Sequence, residues 1–316
     1  MREVLQVLRL VTPLLSKAGL PTENWSTCVL SRRDDRAKHR IVVKLSAPGR
    51  IALAAKLISR PTDPKGFEKA VLRQVEMAES MRCCPKIYGF DVTSQVVLMD
   101  FVEGQNAYDV FRASPAEHHG QALSVAGQWV DKFHRSANWE LRQFKPVYTL
   151  NHLAKLRKSI NDGEVEVPKK SSFLAALEQT IQTAPEPHQC QTIAAINHGD
   201  LNLRNILLDG QTASGLDFGS PGLLPVAHDL ARLFCHYGAL CVKPSLIDYQ
   251  PLPGVNLDSF FKGYELVTKE DQTVAFLCRV RLLRDWQTIP KAATQTSIPQ
   301  KRRLRGIQAL ARRMFD

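Results

Sequence analysis

Two short stretches constrain this chain more than any other part of it: Ile196-Asn197-His198-Gly199-Asp200-Leu201-Asn202-Leu203-Arg204-Asn205-Ile206-Leu207-Leu208, and Leu216-Asp217-Phe218-Gly219. Asp200 and Asn205 stand on an irregular segment. The apolar run Ile206 to Leu208 reads as a strand, and after a turn comes a second carboxylate, Asp217. A loop, a strand and a turn in that order can bring three oxygen ligands together. Magnesium bound to a triphosphate needs such a set, because it keeps waters and phosphate oxygens and takes few ligands from protein.

The stretches resemble the H-x-D-x-x-x-x-N and D-F-G motifs of protein-kinase-like enzymes. Their order, one strand-turn-strand unit apart, is far more specific than either motif alone. Two departures narrow the resemblance. Position 199 is Gly, where protein kinases usually carry an Arg that contacts a phosphorylated activation loop. Only Ser220-Pro221-Gly222-Leu223-Leu224-Pro225-Val226-Ala227 separates Gly219 from His228-Asp229, and there is no A-P-E, so an activation segment has no room. H-G-D-x-x-x-x-N, D-F-G and the near-following Asp229-Leu230-Ala231 are similar to the aminoglycoside phosphotransferase and choline kinase family, which phosphorylates small-molecule hydroxyls. That likeness implies an α+β, protein-kinase-like bilobal fold with a β-rich N-terminal lobe and a mainly α-helical C-terminal lobe. It also implies that Asp200 takes the proton of the attacking hydroxyl, while Asn205 and Asp217 hold the Mg²⁺ ions that bridge the phosphates of ATP. Asp229 becomes a scaffold residue that bonds the backbone of the catalytic loop.

Before these motifs, the spacing predicts an amphipathic helix over Met1 to Leu20, closed by Gly19 and Pro21. Three strand-forming runs follow, Ser26 to Ser31, Arg40 to Leu45 and Ile51 to Ile58, and read as an antiparallel meander. Lys56 is one charge in the apolar third run, costly to bury unless paired. It resembles the strand Lys of kinases that contacts the α- and β-phosphates and pairs with a helical Glu. Lys44 on the preceding run is the rival. In the helix expected over Phe67 to Ala78, Glu68 and Glu76 are both candidates for the partner, and Glu68 better fits the E-x-x-x-L arrangement of the family. The first hairpin, Ser31 to Arg40, holds no Gly to approach phosphates. Either Arg32 or Arg33 substitutes, or the tip is simply solvated. A strand pair, Lys86 to Asp91 and Gln95 to Asp100, leads into Phe101-Val102-Glu103-Gly104. By position it resembles the inter-lobe hinge, with the backbone of Asp100, Phe101 and Val102 meeting adenine. The expected domains are therefore 1–102, nucleotide-binding, and 103–316, helical and acceptor-binding.

Helical periods then dominate: Ala122 to His134, Leu150 to Ile160, Ser172 to Thr183, Leu230 to Leu240, Leu257 to Val267, Asp271 to Trp286 and Lys301 to Phe315. The charged stretch Asn161 to Lys170 reads as an insert, and His134 as a structural residue. The net charge of +11 is concentrated near the end: from Leu277 onward ten basic residues face Asp285 and Asp316, an excess of +8. That placement suggests an anionic acceptor or a membrane surface as partner of the basic last helix. The seven cysteines form no C-x-x-C pair and read as reduced thiols of a cytoplasmic protein. No stretch approaches a transmembrane span, and no nucleic-acid partner is expected.

The favoured function is an ATP- and Mg²⁺-dependent phosphotransferase acting on a hydroxyl of a small molecule or sugar. The rivals are a kinase of an anionic glycolipid at a membrane surface and a nucleotide-binding pseudokinase. A polycationic drug as acceptor is disfavoured by the basic C-terminal segment, although fold does not fix substrate.

Overall fold

The computed structural model describes residues 2–35, 38–80, 84–185, 190–219, 222–245, 250–292 and 296–315. Expectations placed on Arg36, Ala37, Cys83, Ser220 and Pro221 lie outside the described residues. The chain divides into two compact units. One comprises Met1–Gly104 with Ser214–Ser220, and the other Gln105–Ala213 with Pro221–Asp316. The break thus falls two residues after the expected boundary, and the D-F-G segment is counted with the first unit rather than the second.

In the first unit a five-stranded antiparallel sheet runs in the order β1 (Ser26–Asp34), β2 (His39–Ser46), β3 (Leu53–Arg60), β5 (Val96–Asp100), β4 (Ile87–Asp91). Side chains alternate across a strand, so its two faces carry different sets. Ile41, Val43 and Leu45 of β2, Leu53, Ala55 and Leu57 of β3, and Val96 and Leu98 of β5 pack with α1 (Arg2–Lys17) through Val7, Val11, Leu14 and Leu15. Ala54, Val97 and Met99 turn to the other face and pack with Phe67 and Val71 of α2 (Pro64–Ser80). Lys56 shares this second face, in register with Val42 and Val97.

The second unit contains more strand than its helical periods suggest. A small sheet in the order β11 (Leu223–Pro225), β8 (Gln191–Ile196), β7 (Glu140–Gln143) enters it, as does the pair β9 (Ile206–Asp209) and β6 (Gln105–Asn106); β10 (Thr212–Gly215) begins in it, with its last two residues counted in the first unit. The helices include α3 (Ala107–Ala113), α4 (Gly120–Arg135), α5 (Val147–Asn161), α6 (Lys170–Gln182), α7 (Ala227–Leu240) and α9 (Gln272–Gln287). Between α7 and α9, the helix expected over Leu257 to Val267 shrinks to the single turn α8 (Asp258–Phe261). Helix α7 packs on α9 and on α10 (Ile298–Phe315). The contact with α10 is close because position 306 has no side chain: a Cβ on Gly306 would stand 1.8 Å from the Ala239 carbonyl oxygen. The buried face of α10 is Ile307, Leu310, Ala311 and Met314, while Lys301, Arg302, Arg305, Arg312 and Arg313 are exposed. Its apolar face is therefore taken up by protein, and what it offers outward is charge. No helix among the described residues is long and apolar enough to cross a membrane.

Candidate active site

In the second unit the stretch 197–205 leaves β8 and passes through a single 3-10 turn, Leu203–Asn205, into β9, and most of its backbone donors have a partner. Asp229, in the first turn of α7, accepts the N–H of His198 at 2.5 Å and that of Gly199 at 3.1 Å. Gly199 has φ +79°, in the left-handed region that favours glycine, which accounts for the residue type at the position where protein kinases carry Arg. The N–H of Asp200 reaches Nδ1 of His198 at 3.3 Å, and that of Leu203 reaches Nδ1 of His236 at 3.2 Å. Asn202 caps the turn Leu203–Asn205, accepting from Arg204 at 3.0 Å. Leu201, Leu203 and Ile206 anchor the loop in the core.

Asp229 is buried, and burial pushes its carboxyl pKa up. The hydrogen bond and charge of His134, together with His198 and its N–H, more than offset this and hold the carboxyl below its usual range. His134 is fully buried, 3.3 Å from Asp229 and 2.9 Å from the Tyr264 hydroxyl, so it orients the scaffold rather than facing a substrate. His236 is held neutral, its pKa pushed down to about 3 by burial and then by the neighbouring Arg303. A neutral imidazole can accept the Leu203 N–H.

This cradle presents Asp200. Asn205 donates from Nδ2 to the Asp200 carbonyl at 3.0 Å and faces its Oδ2 at 3.3 Å, while Asn202 donates to the same carbonyl at 3.0 Å. With its amide nitrogen so engaged, Asn205 keeps its amide oxygen for another partner. The Asp200 carboxylate is part-exposed and forms an ion pair with Arg232, one turn after Asp229 on α7. Sequence reasoning passed over Arg232. The signal was present, because Arg232 directly follows the Asp229-Leu230-Ala231 motif.

The first unit holds the other candidates. Asp217 has φ +56°, unusual for a residue with a side chain. Its carboxylate is paired with Lys56 and, at 3.1 Å, with Arg40. One expectation is corrected and one residue is added. Neither Glu68 nor Glu76 is the partner of Lys56: Glu68 is exposed on α2, and Glu76 pairs with Arg73 at 2.8 Å. Arg40, which sequence reasoning did not single out, shares the face of Lys56, because Val42 pairs with Lys56 and Arg40 lies two residues away on the same strand. Lys44, the rival, pairs with Glu103 at 3.1 Å and lies 3.7 Å from the centre of the Phe101 ring. Arg32 and Arg33 make surface pairs with Glu3 and Asp35.

At the expected hinge, the N–H of Asp100 donates to the Lys86 carbonyl at 2.9 Å and that of Phe101 to the Ala52 carbonyl at 3.1 Å. Both donors are thus spent on carbonyls of residues that flank the sheet strands. Val102 has no backbone partner for its N–H among the described residues.

Among the described residues no group of three or more His, Cys, Asp or Glu is arranged to hold a metal ion by itself. The Asp217 carboxylate of the first unit, paired with Lys56 and Arg40, and the Asn205 amide of the second each carry oxygen donors. These are hard ligands of the type magnesium takes when water and phosphate complete its shell.

A loop held by an Asp in the first turn of the following helix, and an Asp–Lys pair in the sheet-containing unit, belong to a protein-kinase-like fold. The chain belongs to the APH phosphotransferase enzyme family, whose profile matches residues 23–251. Its fold is similar to that of a choline/ethanolamine kinase family protein from Mesorhizobium loti, with TM-score 0.56 and 15% identity over 94% of this chain and 93% of that one. A thermostable mutant of aminoglycoside phosphotransferase APH(4)-Ia aligns with TM-score 0.57 and 11% identity over 95% and 97%. Amicoumacin kinase hAmiN, solved with AMP-PNP and Ca²⁺, gives 0.53 and 13% over 99% and 96%. No curated protein sequence matches the chain significantly.

Proposed function

We propose that the protein transfers the γ-phosphoryl group of ATP to a hydroxyl of a small molecule or sugar, in a magnesium-dependent reaction. The observation that carries the reading is the loop from His198 to Asn205, in which side-chain acceptors engage the N–H groups around Asp200 and its carboxylate stays part-exposed. A preorganised carboxylate costs no reorganisation when the reaction begins.

In this reading Asp200 orients the acceptor hydroxyl and takes its proton, and Asn205 and Asp217 hold the metal. Bound there, magnesium would supply charge neutralisation for the transferred phosphoryl group. Lys56 and Arg40 neutralise Asp217 before nucleotide binds, and Lys56 exchanges that carboxylate for phosphate oxygens afterwards. The backbone around Val102 receives adenine. AMP-PNP bound to amicoumacin kinase hAmiN supports nucleotide use by this fold. The test is ATP consumption by the purified protein with Mg²⁺ and a pool of metabolites, read by mass spectrometry as a gain of one phosphoryl group on one compound. If no compound is phosphorylated and no nucleotide binds, the reading fails.

A further inference from the structure

Three helices of the second unit bring guanidinium groups together beside Asp200. Helix α7 carries Arg232 and, one turn on, His236; α9 carries Arg281 and Asp285, likewise one turn apart; α10 carries Arg303. The buried Asp285 carboxylate accepts Arg281 at 2.7 Å and Arg303 at 2.9 Å through the same oxygen. Arg232 pairs with Asp200. Three guanidinium groups therefore share two carboxylates, one of which the proposed mechanism requires for the reaction.

The crowding is visible in the titration of the neighbours. Burial, then the charge of Arg281, lowers the pKa of Arg232 against the opposing carboxylates of Asp200, Asp285 and Asp229, and burial followed by Arg303, with Arg204 and Arg281, lowers that of His236 against Asp285. Hydrogen bonding is incomplete as well. Nε of Arg232 and Nε of Arg281 are buried and have no acceptor among the described residues. Buried donors without acceptors are uncommon in native proteins, and each calls for an explanation. The cluster is nevertheless accessible: the Arg232 and Arg303 side chains keep 29% and 33% of their exposure, so a small molecule can reach them.

We infer that Arg232, Arg281 and Arg303 form a binding site for an acidic group, carboxylate or phosphate, of the molecule that is phosphorylated. This rests on the phosphotransferase reading for the word phosphorylated, but the anion site itself does not. A guanidinium fork matches the oxygens of either group, and guanidinium groups on three helices favour an anion over a neutral or cationic acceptor. The acidic group approaches the exposed parts of the Arg232 and Arg303 side chains. Polycationic acceptors are repelled from the same place.

The test resolves individual residues. The full chain is labelled with ¹⁵N-arginine, the Nε–H signals of Arg232, Arg281 and Arg303 are assigned through R232Q, R281Q and R303Q, and inorganic phosphate or acetate is added at constant ionic strength. Saturable shifts of the Arg232 and Arg281 signals are expected, with the exposed Arg312 unmoved. The stronger of the two anions identifies the acidic group. Shifts that stay linear, or match those of Arg312, overturn the site. Kinetics form the second arm, with metabolites separated by charge into anionic, neutral and cationic pools. Turnover confined to the anionic pool is expected, with R281Q raising KM about tenfold at nearly unchanged kcat and R281K restoring part of it. Turnover of a neutral or cationic compound alone overturns the anionic acceptor. If the shifts saturate and no pool is turned over, the phosphotransferase reading is at fault and the anion site stands.

Discussion

Replacing Asp229 by Asn changes one atom type at the centre of the loop scaffold, and the structure sets the size of the effect. Oδ2 accepts the His198 N–H and faces His134, while Oδ1 accepts the Gly199 N–H. An amide has one oxygen, so whichever way Asn is turned, one backbone N–H meets an NH₂ group. A buried donor left without an acceptor costs about 1–3 kcal/mol. Ala leaves both donors orphaned, about 2–6 kcal/mol together, against a total stability of about 5–15 kcal/mol. Asp229→Asn is therefore the variant to measure, because it stays folded. Urea unfolding read by tryptophan fluorescence suits it, since Trp129 is buried with its ring 6.3 Å from that of His198.

The pH dependence has a defined sign. The Asp229 carboxyl is held below the ordinary 3.8. Its stabilisation is thus fully present above that value and is lost as pH falls through the lower native-state value. The gap between wild type and the Asn variant should be widest near neutrality and should narrow below about pH 4. A variant within about 0.5 kcal/mol of wild type at neutral pH, with a gap independent of pH, would refute the scaffold role of Asp229.

Three further outcomes are expected. Asp200→Asn should lower turnover by about two to four orders of magnitude, the scale of a general base, with nucleotide affinity by calorimetry unchanged; turnover above about a tenth of wild type removes Asp200 from the chemistry. Asp217→Ala should weaken nucleotide binding only when Mg²⁺ is present, and equal affinities with and without the ion in both proteins contradict the metal role. Gly306→Ala should destabilise the second unit by about 1–3 kcal/mol, the usual cost of overpacking, because its Cβ would stand 1.8 Å from the Ala239 oxygen; an unchanged melting temperature shows that the α7–α10 contact adjusts freely.

The sequence alone located the loop around Asp200, the meander and most of the helices, because each is a local property. H-G-D-x-x-x-x-N is confined to neighbouring residues, strand and helix periods are read in short windows, and Asp229 follows its loop closely enough for its scaffold role to be implied. The pairings came out differently. Lys56 was expected to find a Glu on α2, yet its partner is Asp217, 161 residues away, and the same carboxylate takes Arg40 from 177 residues away. Nothing in a periodic pattern chooses among carboxylates at such separations. Strand register does, because it sets Arg40 and Lys56 on one face. The sheet of β7, β8 and β11 was missed for a related reason: its strands are short, and β11 exists only through its pairing with β8. The arginine cluster beside Asp200 is the extreme case. Arg232, Arg281 and Arg303 stand on three helices, each an ordinary charged position in its own sequence, and only the packing of α7 on α9 and α10 gathers like charges that would otherwise remain apart in water.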